Sequence, residues 1–263
     1  MVDEGIVARL RAAGCVFAED EARLIHETAR DAGEVEAMVV RRVAGEPLEH
    51  VLGWAEFAGL RVAVAPGVFV PRHRSELLVD LARRHTRPGA VVVDLCCGTG
   101  ALGLAVVRGI DGVELHAADV DPAAVACARR NVEPAGGRVH EGDLFDALPA
   151  ELKGRVDVLL ASPPYVPTAA IALMPPEARD HEPRTALDGG GDGLGLVRRI
   201  ATAAPDWLTE GGVLLLELSA AQATAAADAV DEAGLAAAEH HDDDATVIVG
   251  ATSGTGSRHL RSG

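Results

Sequence analysis

The sequence predicts an α/β fold: a doubly wound, mostly parallel sheet of seven strands, with a small N-terminal helical domain and a β-hairpin ahead of it. Three observations lead there. From Val91 onward short apolar runs alternate with helical periods, and such units close into a parallel sheet with helices on both faces. Three of the runs end in residues better suited to a ligand than to a core: a glycine turn after Val91–Leu95, Asp119 after Val113–Ala118, and Ser162 after Val156–Ala161. Before Glu46 the apolar residues follow a helical period instead.

In chain order, Asp3 to about Ala44 reads as a bundle of about three amphipathic helices. Their stripes are Ile6, Val7 and Leu10, then Leu24, Ile25 and Thr28, then Val35, Met38, Val39 and Val43, with Gly14, Gly33 and Gly45 as helix stops. His26 belongs to a helix surface or to packing. The hairpin is VLGWAEFAGLRVAVAPGVFVPR, in which Phe57, Leu60, Val62 and Val64 surround a turn at Ala58-Gly59 and Trp54 packs at the junction. SELLVDLARRH resumes a helical period from Ser75 and stops at Pro88-Gly89. The remaining strands are Arg138–Glu141, Gly212–Leu218, Leu235–His240 and Ala245–Gly250. The expected division is 1–50 helical domain, 51–73 hairpin linker, 74–252 sheet domain and 253–263 tail without an apolar period.

A chain of 263 residues with 48% hydrophobic content can bury one full core and has room for a small second domain. Its net charge of −16 repels a phosphate backbone, which argues against stable nucleic-acid binding and for a basic protein partner. Arg72 with Arg74, and Arg83, Arg84 with Arg87, are the places where a local basic face could form. Cys15, Cys96, Cys97 and Cys127 have no zinc-like spacing, so no metal is expected, and MVDEGIVARL lacks the shape of a signal peptide. The expectation is a reduced, cytoplasmic protein without a membrane span.

In VVVDLCCGTGALG, a strand meets a turn and a helix start. Gly98 and Gly100 let a backbone approach a nucleotide-like ligand there, although the same turn occurs in α/β proteins that bind nothing. Roughly twenty residues on, Asp119 stands where an acid can accept from two ribose hydroxyls. Its alternative is a solvated loop carboxylate or the cap of the helix starting near Pro122, a cap that Asp121 suits better. Asp143, after the third strand, either accepts from an adenine amino group or holds a turn. Ser162-Pro163-Pro164-Tyr165 follows the fourth strand, and its two prolines fix the backbone and remove two amide donors. Carbonyls and the Ser162 hydroxyl are then free to face a ligand. Tyr165, the only tyrosine of the chain, is a stacking platform there, or else packs on its own strand.

A nucleoside turn followed by such a loop resembles the amino-group methyltransferases that use S-adenosylmethionine, whose motif is (N/D/S)PP(Y/F/W). Over nearly the whole chain the ordered pieces EPLEHVLGWAEFAGL, VPRHRSE, DLCCGTGALG, Asp119, ARRN ending at Asn131, GDLFDAL, SPPY and EPRTALDGGGDGL resemble the HemK/PrmC family. That family methylates the glutamine of the Gly-Gly-Gln loop in peptide-chain release factors. The resemblance implies a class I methyltransferase domain with a Rossmann-like sheet, a helical substrate-recognition domain, and S-adenosyl-L-methionine as cofactor. It places the cofactor loop on Cys96, Cys97, Gly98, Thr99 and Gly100, the ribose acid on Asp119, and an adenine-side contact on Leu144, beside the cofactor candidate Asp143. Catalysis and substrate binding fall on Ser162, Pro163, Pro164 and Tyr165, with Ser162 also beside the cofactor. Three residues depart from the family pattern: Cys96 for a glycine, Leu144 for a frequent aromatic, and Ser162 for asparagine. Two other readings use the same motifs, a DNA or RNA amino-methyltransferase and a cofactor-binding protein that has lost catalysis.

Overall fold

A computed structural model describes residues 3–174, 179 and 182–252. Four helices open the chain: α1 (Glu4–Ala12), α2 (Ala18–Thr28), α3 (Ala32–Val43) and the short α4 (Leu48–Leu52). Asp3 caps α1 by accepting from the Gly5 amide, and Asp31 caps α3 by accepting from the Glu34 amide. Because Asp31 starts α3 at Ala32, Gly33 lies in the first turn of that helix and is not a stop. The expected stripes meet in a core of their own, where Ile6, Leu10, Ile25, Val35, Met38 and Val39 pack with Val51 and Leu52. Val43 is not part of it: the last turn of α3 runs past this cluster, leaving Val43 41% exposed.

The hairpin strands β1 (Trp54–Phe57) and β2 (Leu60–Ala63) pair with Phe57 opposite Leu60. Ala58 and Gly59 both have positive φ, 48° and 69°, the two-residue turn whose twist matches paired strands. Trp54 donates from Nε1 to Thr28 Oγ1 at 3.1 Å and lies 3.7 Å beneath the Arg61 guanidinium, so it joins hairpin to bundle.

After α5 (Glu76–His85) come β3 (Val91–Leu95), α6 (Ala101–Val107), β4 (Glu114–Asp119), α7 (Pro122–Val132), β5 (Arg138–Glu141) and β6 (Val156–Ala161). Then follow α8 (Gly195–Ala203), β7 (Leu208–Leu218), α9 (Ala223–Glu232), β8 (Ala236–His241) and β9 (Thr246–Ala251). The sheet has seven strands in the order β5-β4-β3-β6-β7-β9-β8. The first five are parallel; β9 runs antiparallel to β7 and β8 to β9. Each expected strand is present. β7 starts earlier than Gly212, at Leu208, with a register shift against β6 between the Leu208 and Val213 pairings. Leu160 and Leu215 face a core shared with α5, α6 and α7, while Leu159, Leu214 and Leu216 face one shared with α8 and α9. Strands buried on both faces read as continuous apolar runs, which is why they were visible in sequence. The chain reverses its direction of travel across the sheet between β3 and β6, and ligands of such sheets sit at the carboxyl ends beside that point. Among the described residues no helix is long and apolar enough to cross a membrane. The expected 253–263 tail lies outside the described residues.

Candidate functional site

The carboxyl ends of β3, β4 and β6 open into one cavity of about 430 Å³. Cys96, Cys97, Gly98, Thr99, Asp119, Asp143 and Leu144 line it together with Ser162, Pro163, Pro164 and Tyr165. A volume of that size suits a nucleoside-sized ligand.

At one end stands the glycine turn. It is fixed from beneath by Asp94, whose Oδ2 accepts from the Gly103 amide at 2.8 Å, and from the side by Asn131, whose Nδ2 donates to the Thr99 carbonyl at 2.8 Å. Burial pushes the Asp94 carboxyl up to about 7. Asp119 closes on the turn: its Oδ2 accepts from the Gly98 amide at 2.8 Å and its Oδ1 from the Asp121 amide at 2.9 Å. Burial raises its pKa, and the amide bonds oppose the rise. Each oxygen keeps a lone pair for a hydroxyl donor. Asp121 in turn caps α7 by accepting from the Ala123 amide.

Gly100, expected in the cofactor loop, does not line this cavity. Its amide is spent on the Cys97 carbonyl, and a Cβ at this position would meet Val132 at 2.6 Å, so Gly100 lets α6 pack against α7. Cys96 takes φ 54°, a left-handed conformation in a non-glycine residue. Burial, with the charges of Asp119 and Asp94, raises its thiol far above the ordinary range. Asp143 is half exposed and accepts from Arg199 Nη2 at 2.7 Å, so one of its oxygens is engaged. Leu144 is buried and left-handed, with φ 51°.

At the other end stands the Ser162–Tyr165 loop. Among the described residues neither Ser162 Oγ nor the Pro163 carbonyl has a hydrogen-bond partner. The run EPRTALDGGGDGLGL lies along this loop. Val166 donates to the Leu187 carbonyl at 3.0 Å, and the Gly189 amide donates to the Val166 carbonyl at 2.9 Å. Its glycines are there for contact: a Cβ on Gly193 would fall 2.1 Å from the Tyr165 carbonyl oxygen.

Three residues that hold this wall from beside or behind it carry no site assignment from the sequence. Gln222 donates from Nε2 to the carbonyls of Tyr165 (2.8 Å) and Asp192 (2.9 Å). Arg74 donates from Nη2 to the Tyr165 hydroxyl at 2.7 Å, and its Nε lies 3.4 Å from Glu217 Oε1. Two signals could have found them: the Ser219-x-x-Gln222 capping pattern, and a lone acid in the apolar run LLLEL. Most arginines of the suspected basic faces are engaged, Arg84 being exposed without a partner among the described residues. Arg72 pairs with Glu182, Arg83 donates to the carbonyls of Ala105, Val106 and Arg108, and Arg87 pairs with Asp157. The cysteines are free thiols, and no group among the described residues could hold a metal.

Residues 59–192 match the family model of the methyltransferase small domain. The chain is 37% identical to a release factor glutamine methyltransferase of Mycolicibacterium smegmatis, over 81% of this chain and 82% of that one. The chain belongs to the HemK/PrmC family. It is also 42% identical to a release factor glutamine methyltransferase of Geobacter sulfurreducens, over 71% of this chain and 65% of that one. A 4-amino-L-phenylalanine/4-methylamino-L-phenylalanine methyltransferase of Streptomyces pristinaespiralis is 40% identical, over 68% of this chain and 63% of that one. The matched region therefore spans just under two thirds of these last two relatives. Against the HemK/PrmC pattern, Cys96 adopts the left-handed backbone that a glycine would take, and Ser162 presents a hydroxyl where the family has an amide. The sheet order is that of the Rossmann-like class I methyltransferase fold expected from the sequence.

Proposed function

We propose that this chain transfers the methyl group of S-adenosyl-L-methionine to the side-chain amide nitrogen of a protein glutamine, with the Gly-Gly-Gln loop of a peptide-chain release factor as acceptor. One observation carries the reading: a single cavity holds a nucleoside-shaped end at Gly98 and Asp119 and, opposite, two unengaged acceptor oxygens on Ser162 and Pro163. Bound there, S-adenosylmethionine supplies an electrophilic methyl group on a sulfonium centre. Asp119 would take the ribose hydroxyls, Asp143 and Leu144 the adenine side, and Cys96, Cys97, Gly98 and Thr99 the wall between them.

An amide nitrogen is a poor nucleophile because its lone pair is delocalised into the carbonyl. Ser162 Oγ and the Pro163 carbonyl accept its two N–H bonds, which fixes the nitrogen and stabilises the positive charge that develops on it. No strong general base is needed, since nitrogen becomes acidic as it is alkylated. A serine oxygen reaches less far than an asparagine oxygen, so the acceptor amide must sit closer to the loop. Tyr165 provides the flat wall beside it, and the helical domain chooses the partner. The charge of −16 and the engaged arginines speak for a protein partner over nucleic acid.

Methyl transfer from labelled S-adenosylmethionine to purified release factor tests this, with a Gly-Gly-Ala version and 4-amino-L-phenylalanine assayed beside it. Label on the Gly-Gly-Gln protein alone is expected. Label on the amino acid alone would move the acceptor to small amines, and no label despite cofactor binding would overturn the release-factor reading. Ser162→Ala should lower kcat roughly a hundredfold with cofactor Kd unchanged.

A further inference from the structure

We propose that Arg74, held by Glu217, is a positioning residue that fixes the ring of Tyr165 and thereby shapes the acceptor end of the cavity. The two side chains are 91 residues apart in the chain. The backbone of Tyr165 is already secured by Gln222, but nothing in that bond sets its ring. One side of the ring packs against the core shared with α8 and α9, and its hydroxyl end is held by Arg74, which donates to the phenol oxygen at 2.7 Å and carries its guanidinium carbon 5.9 Å from the ring centroid. Because that oxygen accepts, the phenol hydrogen is left to donate elsewhere.

Arg74 is itself 42% exposed, and a long side chain at that exposure would sample many rotamers. Glu217 restrains it. It stands one residue before the end of β7 with its side chain 2% exposed, and among the described residues its Oε2 has no hydrogen-bond partner. A buried carboxylate is costly unless a cation sits against it, and Arg74 is the cation that does so, at 3.4 Å. Glu217 therefore holds Arg74 near one place, and Arg74 holds the ring. The charge of Glu217, after burial itself, also helps push the Tyr165 phenol up to about 12.

The kinetic arm of the test rests on the methyltransferase reading above; the spectroscopic arm does not. Tyr165 is the only tyrosine, so ring-labelled ¹³C-tyrosine gives one assigned signal. The main variant combines Arg74→Ala with Glu217→Gln, so that no buried charge is left unpaired and the fold is kept. In it the ring signal should move toward the position of free tyrosine and sharpen, while Arg74→Lys recovers part of the wild-type shift. Acceptor KM should rise roughly tenfold with cofactor Kd within about twofold, the size expected for one lost charge-assisted hydrogen bond. An unchanged ring signal overturns the proposal, as does a parallel loss of cofactor affinity. If the ring signal moves while the natural chain methylates no release factor, the positioning role stands and the acceptor assignment falls.

Discussion

The two ends of the cavity are built differently. The glycine-turn end is assembled from consecutive strand ends: Gly98 after β3, Asp119 as the last residue of β4 and Leu144 after β5, with Asp119 and Gly98 joined by one bond. The Ser162–Tyr165 end draws on four separated stretches. These are the loop itself, the glycine-rich run up to Gly193, the stretch carrying Glu217 and Gln222, and Arg74. The first end is a local motif repeated along a sheet. The second is a long-range packing arrangement, so single changes there should reach further.

Two glycines give the sharpest contrast. Gly193 has φ 77° and no room, since a Cβ would lie 2.1 Å from the Tyr165 carbonyl and 2.4 Å from Gln222 Nε2. Gly98 has φ 54° and open space, with nothing within 4 Å of a Cβ. Gly193→Ala should cost about 3 kcal/mol, the sum of left-handed strain and an overpacked contact. By displacing the loop it should also lower kcat/KM for the acceptor roughly a hundredfold. Gly98→Ala should cost only about 1 kcal/mol of stability. Urea unfolding and acceptor kinetics on both proteins check this, and equal effects would break the comparison.

The same asymmetry explains what could be read from sequence. Strand positions came out within a few residues at their ends, since buried parallel strands are apolar runs bounded by turns. Asp119 and Ser162 were legible because each follows such a run directly. Gln222, Arg74 and Glu217 act across 57, 91 and 143 residues, and no local pattern encodes those distances. α4 has five residues, too few to show a helical period. The packing role of Gly100 was not legible, because a glycine that lets helices pack looks the same in sequence as one that admits a ligand.

At the glycine-turn end a charge, not a contact, should dominate. Asp94 has its folded pKa raised from 3.8 to about 7 by burial. The folded state therefore holds a proton there that the unfolded state has lost. Stability from this group is complete below about pH 4 and disappears as pH rises through about 7. Asp94→Asn can keep an oxygen for the Gly103 amide and removes the titration. Unfolding free energies from urea titrations between pH 5 and pH 8 should fall for the natural chain, by on the order of 2 kcal/mol more than for the variant. Parallel curves would show that Asp94 titrates as an ordinary carboxylate.

The smallest expected effect lies at Cys96. Its φ of 54° is a conformation that L-residues other than asparagine and aspartate seldom adopt, and its side chain makes no hydrogen bond among the described residues. Glycine relieves the strain, but it adds freedom to the unfolded chain and gives up the partial burial of the thiol. Those terms nearly cancel, which leaves Cys96→Gly more stable by about 0.5 kcal/mol. Thermal unfolding reads the gain. The turn keeps its backbone, so the Gly98–Asp119 bond and cofactor Kd should stay unchanged. A clear loss of stability would mean that packing of the thiol against its neighbours outweighs backbone strain. The glycine-turn end would then depend on side-chain packing as the Ser162–Tyr165 end does.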